Sequence, residues 1–231
     1  MADMMRNQLL HGYVLHQRVY RENSKLTQFL SLEYGRVDGV ARQKLPPLYQ
    51  PTLLFASGKT GLKNFSKAES AGVPHTLSGQ TLFAGFYLNE LLVRLLPLEE
   101  PMPEVFAAYN TALVQLALCD ATQPIEPQLL PILRRFESVL LSSLGYPVSF
   151  THDVQQQPFV PAQCYRFELG HGFVAAEQGE QGRVLLLMND PEQAFSAPTL
   201  PMLTRVFRRV LAEQLGEQPL HSRELWRSRR G

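Results

Sequence analysis

The sequence predicts a multi-domain α+β protein in which a small β-barrel precedes an α-helical bundle with a small β insertion. Three observations lead to this prediction. The chain has 231 residues, enough for two modules of ordinary size. All five lysines lie before Gln80, and the spacing of apolar residues changes from strand-like to helical at the same point. We therefore expect a barrel domain over residues 1–80 and a helical domain over residues 81–231.

Five short runs rich in β-branched and aromatic residues occupy the first domain, each bounded by Gly, Pro or polar residues. They cover Gly12–Tyr20, Leu26–Tyr34, Gly35–Arg42, Tyr49–Ala56 and Leu62–Ala68. Five strands in fewer than 80 residues suit a small closed barrel. The OB-fold is the common nucleic-acid-binding example, and closure leaves few open strand edges.

Beyond Gln80 the apolar residues recur at three- and four-residue intervals, which is typical of amphipathic helices. The first such run extends from Leu82 to Leu92, and Pro97 should end it. Further helices are predicted at Pro103–Cys119, Pro127–Leu144 and Leu200–Leu215. Glycine turn signals predict the β insertion at about residues 150–190, with runs such as Cys164–Leu169 and Val184–Met188 as strands. A basic tail follows at Arg223–Gly231.

The composition is that of an ordinary globular protein, with 45% hydrophobic and 19% charged residues. No apolar stretch is long enough for a membrane span, and Met1–Gln8 lacks the features of a secretory signal. We therefore expect a cytoplasmic protein with no membrane partner. Cys119 and Cys164 are expected to be small buried hydrophobes rather than a disulfide or metal ligands.

Charge is distributed unevenly along the chain. Residues 1–80 carry ten Lys and Arg against five Asp and Glu, whereas residues 81–150 carry three against seven. Such asymmetry suggests that a polyanion meets the first segment, although plain solubility is an alternative.

No catalytic site is apparent in the sequence. Gly58-Lys59-Thr60 resembles the end of a phosphate-binding loop, but the required earlier glycine is replaced by Leu53, so a hairpin tip is the better interpretation. The six histidines lack metal-ligand spacing, and Glu99-Glu100 is interpreted as a solvated acidic loop. We expect no catalytic residue, no metal and no cofactor.

The basic residues of the first domain alternate with aromatic ones, a combination that can follow a phosphate backbone while rings stack on unpaired bases. The alternative is that most aromatic rings fill the barrel core, as we expect for Phe55 and Phe65; Tyr20, Tyr34 and Tyr49 are the other rings of the set. The candidate DNA-binding residues are Arg18, Arg21, Lys25, Arg36, Arg42, Lys44, Lys59 and Lys63.

A second cationic set lies on the predicted helices. Arg134 and Arg135 can clamp a carboxylate beside an apolar groove, since guanidinium offers bidentate donors. The alternative for this pair is an internal salt bridge to Glu137 or Glu104. Arg208 and Arg209 make the C-terminal part basic too, with solvated helix-end charges as the alternative.

Several segments, in order, resemble the RecO family of DNA repair and recombination mediators. The resemblance rests on Gly12-Tyr13-Val14-Leu15-His16 with Arg18, on Tyr34-Gly35-Arg36-Val37, on Leu82 to Leu91 followed by Leu96-Pro97, on Arg134-Arg135-Phe136-Glu137, on Leu144-Gly145-Tyr146, and on Ser222-Arg223-Glu224-Leu225. It spans nearly the whole chain. The order and spacing of these segments together make the resemblance specific.

The resemblance implies a bacterial, nucleoid-associated protein without enzymatic activity. It implies an OB domain that binds single- and double-stranded DNA and anneals complementary strands, and a partner, RecR, with which it loads RecA onto strands covered by single-stranded DNA-binding protein (SSB). It further implies that the helical domain captures the acidic, apolar-ended C-terminal tail of SSB, a role that Arg134 or Arg135 fits, with Arg208 and Arg209 as further candidates. The alternative function is a protein-interaction adaptor that does not bind DNA directly.

The sequence departs from the family in the β insertion. Many relatives carry paired cysteines there that hold a structural zinc, whereas this chain has only Cys164 in that region. We therefore predict no zinc, and expect packing or hydrogen bonds among Tyr165, Phe167 and Phe173 to hold the insertion.

Overall fold

The computed structural model describes residues 5–59 and 61–222. The chain divides into two compact units, of which the first holds residues up to Cys119 together with the segment from Pro219 onward. The second unit is Asp120–Gln218. The sequence-based division at residue 80 stays a prediction.

Five strands of the first unit form a closed barrel, as the sequence predicted, and their order is β1-β2-β3-β5-β4. All neighbours are antiparallel except β3 and β5, which pair in parallel. The strands are β1 (Met5–Arg21), β2 (Ser24–Ser31), β3 (Gly35–Ala41), β4 (Thr52–Gly58) and β5 (Lys63–Ser70).

Strand β1 is longer than predicted, at 17 residues, because its two halves pair with different strands. Its first half pairs with β4, and its second half pairs with β2. Gly12 is the residue at which the pairing changes, since it faces both Thr52 of β4 and Ser31 of β2. A Cβ atom at this position would lie 1.8 Å from the carbonyl oxygen of Leu30, so only glycine permits the close approach.

The barrel interior is filled by aliphatic side chains around two phenylalanines. Phe29 and Phe65 are buried, with ring centroids 6.3 Å apart, which confirms the core position expected for Phe65. Phe55 is only half-buried, and the Nζ of Lys67 lies 5.9 Å from its ring centroid. The expectation for Phe55 was therefore wrong, because strand alternation turns Leu54 and Ala56 inward and the residue between them outward.

Two helices complete the packing of the first unit, α1 (Gly79–Leu95) and α2 (Pro103–Ala117). The buried Asn89 of α1 donates from Nδ2 to the carbonyl of Leu15 at 2.8 Å and accepts from the hydroxyl of Tyr109 at 2.6 Å. Burial raises the pKa of Tyr109, so this hydroxyl stays protonated and acts as the donor. The hydroxyl of Tyr13 donates to Asn110 of α2 at 2.5 Å. These bonds connect β1 to both helices.

The second unit combines two long helices with a small sheet. Helix α3 (Ile125–Ser143) packs against α5 (Leu200–Leu215), and the sheet has the order β7-β6-β8. Its strands are β6 (Cys164–Glu168), β7 (Gly172–Ala176) and β8 (Glu180–Gln181), followed by α4 (Gly182–Leu186) and a 3-10 turn at Leu187–Asn189. The run Val184–Met188, predicted as a strand, is helical. Leucine and methionine are strong helix formers, and this run has one buried side chain, Leu185, rather than an alternating pattern.

Aromatic packing holds the β insertion together. Phe167 and Phe173 meet edge to face with ring centroids 5.2 Å apart, and Phe159 contacts Tyr165 at 4.8 Å and Phe173 at 5.7 Å. The Tyr165 hydroxyl also accepts a hydrogen bond from the backbone N–H of Val160 at 2.9 Å. All four rings are buried, so the packing predicted for Tyr165, Phe167 and Phe173 is confirmed.

The segment that follows α5 is hydrogen-bonded to two residues of α1, Glu90 and Arg94. Glu90 accepts hydrogen bonds from the backbone N–H groups of His221 and Ser222, both at 2.9 Å, and from the Ser222 hydroxyl at 2.6 Å. Partial burial raises the pKa of Glu90, but these hydrogen bonds to the charged form outweigh it, and the net pKa lies below the usual value. Arg94 of α1 donates to the carbonyl of Pro219 at 3.1 Å.

In the ranges 5–59 and 61–222, no helix is long and apolar enough to cross a membrane.

Replacing Glu90 by Gln should lower stability in a pH-dependent way. Since the pKa of Glu90 is depressed in the folded state, its contribution is complete above the unfolded value of about 4.3 and is lost as the pH falls through the folded value. After allowance for solvent screening of this half-exposed group, we expect Glu90→Gln to cost about 1 kcal/mol at neutral pH. Thermal melts of both proteins at several pH values would measure the difference.

Glu69→Gln is the matched control, because Glu69 is exposed on β5. Its melting temperature should follow that of the unaltered protein at every pH. A Glu90→Gln deficit that did not shrink in acid would contradict the assignment of the carboxylate as the stabilising group.

Candidate nucleic-acid interface

Three of the predicted DNA-binding residues lie on the hairpin formed by β1 and β2. Residues directly opposite each other in an antiparallel pair face the same side of the sheet. Arg18 pairs with Leu26 and Arg21 with Ser24, so both arginines lie on one face. Lys25 pairs with Val19 and lies on the other face. All three cationic side chains are exposed.

Two further cations lie at the same end of the barrel. Ala41, the last residue of β3, pairs with Lys25, and Arg42 follows it directly. Arg42 and Lys44 are both exposed. We call this set the hairpin surface; its residues are Arg18, Arg21, Lys25, Arg42 and Lys44.

Lys59 lies elsewhere on the barrel. It is exposed and follows Gly58 in the turn between β4 and β5, as the hairpin interpretation of that tripeptide predicted. Gly58 pairs with Met5 at the first residue of β1, whereas the hairpin surface lies at its last residues. The structure therefore does not bring Lys59 together with the hairpin surface.

Lys63 is a structural cation. Its side chain has 0% exposure, and its Nζ lies 2.7 Å from Oε1 of Glu99 and donates to the carbonyl of Lys59. An ammonium already paired inside the protein is not available to a phosphate. The sequence does contain a signal for this position, since Lys63 precedes the inward-facing Phe65 by two residues and so shares its side of β5. Glu99 was expected to be solvated, and this ion pair corrects that expectation.

Arg36 also makes internal contacts. Its Nη1 donates to the carbonyl of Val93 in α1, and its Nε lies 3.5 Å from Oδ1 of Asp38. Only 14% of its side chain is exposed, and its own carbonyl accepts from the N–H of Glu99 at 2.8 Å. Arg36 thus joins β3 to the end of α1, and we leave it and Lys63 out of the hairpin surface.

In the second unit, the internal salt bridge considered for Arg134 is present. Its Nη2 lies 2.8 Å from Oε1 of Glu137, and the two side chains are 7% and 0% exposed. Arg135, the next residue, is exposed, and its guanidinium lies 5.3 Å from the ring centroid of Phe195. Of the two neighbours, only Arg135 presents its charge to solvent.

Arg208 and Arg209 are both exposed on α5. Arg209 donates to the carbonyl of Phe167 at 2.7 Å, and its guanidinium lies 5.8 Å from the ring centroid of the same residue. Within the part of the chain that the structure describes, Arg208 has no hydrogen bond or ion pair. The basic tail Arg223–Gly231 lies outside the described residues.

The second unit contains a cavity of about 530 Å³ that the sequence did not predict. It lies between the segment after α3, the β6–β7 hairpin and the end of α5, and its lining includes Tyr146, His152, Phe167, His171 and Glu213. These residues are far apart in the sequence, and no spacing pattern connects them. Among residues 5–59 and 61–222, no group of three or more His, Cys, Asp or Glu could hold a metal ion.

Comparison with protein families identifies the family to which the chain belongs. The family described as Recombination protein O C terminal matches residues 77–224, and Recombination protein O N terminal matches residues 5–72. The chain belongs to the RecO family. The resemblance stated from the sequence is confirmed.

Curated members of the RecO family are similar over nearly their full length. The DNA repair protein RecO of Pseudomonas aeruginosa strain PAO1 is 43% identical over 229 residues, which cover 94% of each chain. That of Pseudomonas paraeruginosa is 42% identical over the same length. That of Nitrosospira multiformis is 34% identical over 242 residues, covering 97% of this chain and 96% of the relative. The chain is thus a DNA repair protein of the RecO family.

Lys63 and Lys59 provide a test of which lysine is structural. Lys63→Met leaves the Glu99 carboxylate without its partner in a partly buried position, and we expect a loss of about 2–4 kcal/mol in the free energy of unfolding. Lys59→Met removes an exposed charge and should change stability by less than about 0.5 kcal/mol. Urea denaturation of both variants would measure the difference, and equal stability of the two would refute the structural assignment of Lys63.

Proposed function

We propose that this chain is a non-enzymatic recombination mediator that binds single- and double-stranded DNA through the hairpin surface and anneals complementary strands. With RecR it helps load RecA onto SSB-coated single strands in the cytoplasm, at the nucleoid. Membership of the RecO family, whose curated relatives are named DNA repair proteins, supports the general role. The observation that carries the DNA-binding step is the clustering of five exposed cations at one end of the barrel.

The hairpin surface has the chemistry that a phosphate backbone requires. Its cations have no carboxylate within salt-bridge distance among the described residues, whereas Lys63 and Arg36 each pair with an acid. Guanidinium groups donate in a fork that matches phosphate geometry. Each phosphate contact releases condensed counterions, so the affinity of such a surface falls steeply with salt.

The second unit is proposed to take up the acidic, apolar-ended tail of SSB. Arg135 places its guanidinium over the half-buried ring of Phe195, which sets a cation beside an apolar group, whereas Arg209 covers the buried ring of Phe167. Arg208 adds an exposed charge next to Arg209. A carboxylate of the tail would pair with the guanidinium groups while its apolar end packs on exposed carbon. Arg134 would support this surface through its buried pair with Glu137 rather than by direct contact.

The DNA surface is tested by the triple change Arg18→Ala, Arg21→Ala, Arg42→Ala. We expect the affinity for single-stranded and duplex oligonucleotides to fall by about 10- to 100-fold at low salt, and the salt slope to decrease by about 2 to 3. Fluorescence anisotropy titrations at about 50 and 200 mM salt give both quantities. The melting temperature should stay unchanged because all three side chains are exposed.

The control for net charge is Arg166→Ala, Arg183→Ala, Arg205→Ala, which removes three exposed arginines from the second unit, two of them paired with Glu168 and Glu180, and changes the net charge equally. It should bind DNA as the unaltered chain does. Equal loss in both triple variants would show that only net charge matters. If the unaltered chain bound no DNA at low salt, the adaptor alternative would replace this proposal.

The tail site is tested with a labelled peptide that carries several carboxylates and an apolar C-terminal residue. Reversing one charge by Arg208→Glu should weaken peptide binding about tenfold, because an attractive pair becomes a repulsive one. Arg183→Glu, an exposed arginine of the same unit, is the control. Isothermal titration calorimetry measures both, and identical affinities would remove Arg208 from the site.

A further inference from the structure

Two apolar side chains are exposed near the tip of the β1–β2 hairpin. Val19 is 81% exposed and Tyr20 is 44% exposed, whereas Leu10 and Val14 of the same strand are buried. They stand between Arg18 and Arg21 in the sequence. Single exposed apolar residues are ordinary on protein surfaces. A valine and a tyrosine held together between two cations at the end of a strand pair call for a more specific explanation.

The strand pairing sets Tyr20 apart from its neighbours. The register of β1 and β2 shifts between Val19 and Arg21, and Tyr20 has no partner residue in β2. Such a bulge turns the extra side chain away from the regular alternation of the strand. Arg18 and Arg21 remain on one face on either side of the bulge. Tyr20 is therefore an unpaired residue of the strand between two positions that carry arginines on one face.

The Tyr20 ring already contacts one cationic group, the guanidinium of Arg21. The Cζ of Arg21 lies 5.2 Å from the ring centroid, in the range of a cation–π contact. Within residues 5–59 and 61–222, no other ring or cation stacks on Tyr20. The contact with Arg21 limits the freedom of the ring, so stacking a second flat group on it costs less conformational entropy.

We propose that Tyr20 stacks on an unpaired base of single-stranded DNA, while Arg18 and Arg21 hold the flanking phosphates and Val19 packs against the same nucleotide. This inference rests on the proposed DNA binding by the hairpin surface and adds a preference to it. A duplex keeps its bases stacked on one another and offers only phosphates to this hairpin, whereas a single strand offers both phosphates and free base faces. The hairpin tip thus distinguishes single strands from duplexes, and Arg18, Arg21 and Arg42 serve both.

The experiment compares Tyr20→Leu with the unaltered full chain on two probes of equal length, a single-stranded oligonucleotide and a blunt duplex. Loss of one base stack should weaken single-strand binding by about 5- to 100-fold. Duplex binding, which depends on phosphate contacts, should stay within about twofold. Tyr20→Phe, which keeps the ring, should restore the single-strand affinity. The control for the substitution itself is Tyr146→Leu, because Tyr146 is also 44% exposed but lies in the second unit.

A second measurement reports stacking directly. A fluorescent adenine analogue in the single strand should be quenched on binding to the unaltered chain and to Tyr20→Phe, and should lose most of that quenching with Tyr20→Leu. Equal effects of Tyr20→Leu on both DNA forms, or no effect on the single strand, would overturn the stacking inference while leaving DNA binding intact. If the unaltered chain bound neither probe, the proposed function itself would fail.

Discussion

The double pairing of β1 is the constraint on which the first unit depends. One strand of 17 residues closes the barrel against β4 with its first half and forms the hairpin with β2 with its second half. The exchange at Gly12 requires a residue without a Cβ atom, because the backbone of Leu30 passes too close for any side chain. The same strand therefore creates both the enclosed core and the exposed hairpin on which the proposed DNA contacts lie.

The helices of the first unit are connected to this strand by buried polar groups. Leu15 lies at the register shift between Val14 and His16, where the regular pairing of β1 and β2 is interrupted. Its carbonyl accepts from Asn89, which in turn accepts from Tyr109. A buried carbonyl without a partner would cost about 1–3 kcal/mol, so the irregular strand and the polar residue in α1 depend on each other.

The cations of the barrel have two different uses. Lys63 and Arg36 pair with Glu99 and Asp38 and also donate to backbone carbonyls of the same unit. The hairpin surface keeps its cations in solvent, where long-range attraction of a polyanion is effective. Net charge counts both kinds equally. The overall value of +1 thus understates how positive the exposed end of the barrel is.

The sequence by itself determined the barrel of five strands, the long helices, the aromatic packing of the insertion and the family, because these follow from apolar periodicity and from the order of local segments. Only the tertiary structure decided which cations are exposed. Strand alternation places Lys63 on the same side of β5 as Phe65, but its partner Glu99 is distant along the chain and is brought to it only by the fold. Likewise Arg134 turns to Glu137 and Arg135 to solvent on the same helix. Even where an ion pair is local, as for Arg134 and Glu137 one helical turn apart, its burial depends on contacts between distant segments, and those contacts exist only once the chain has folded.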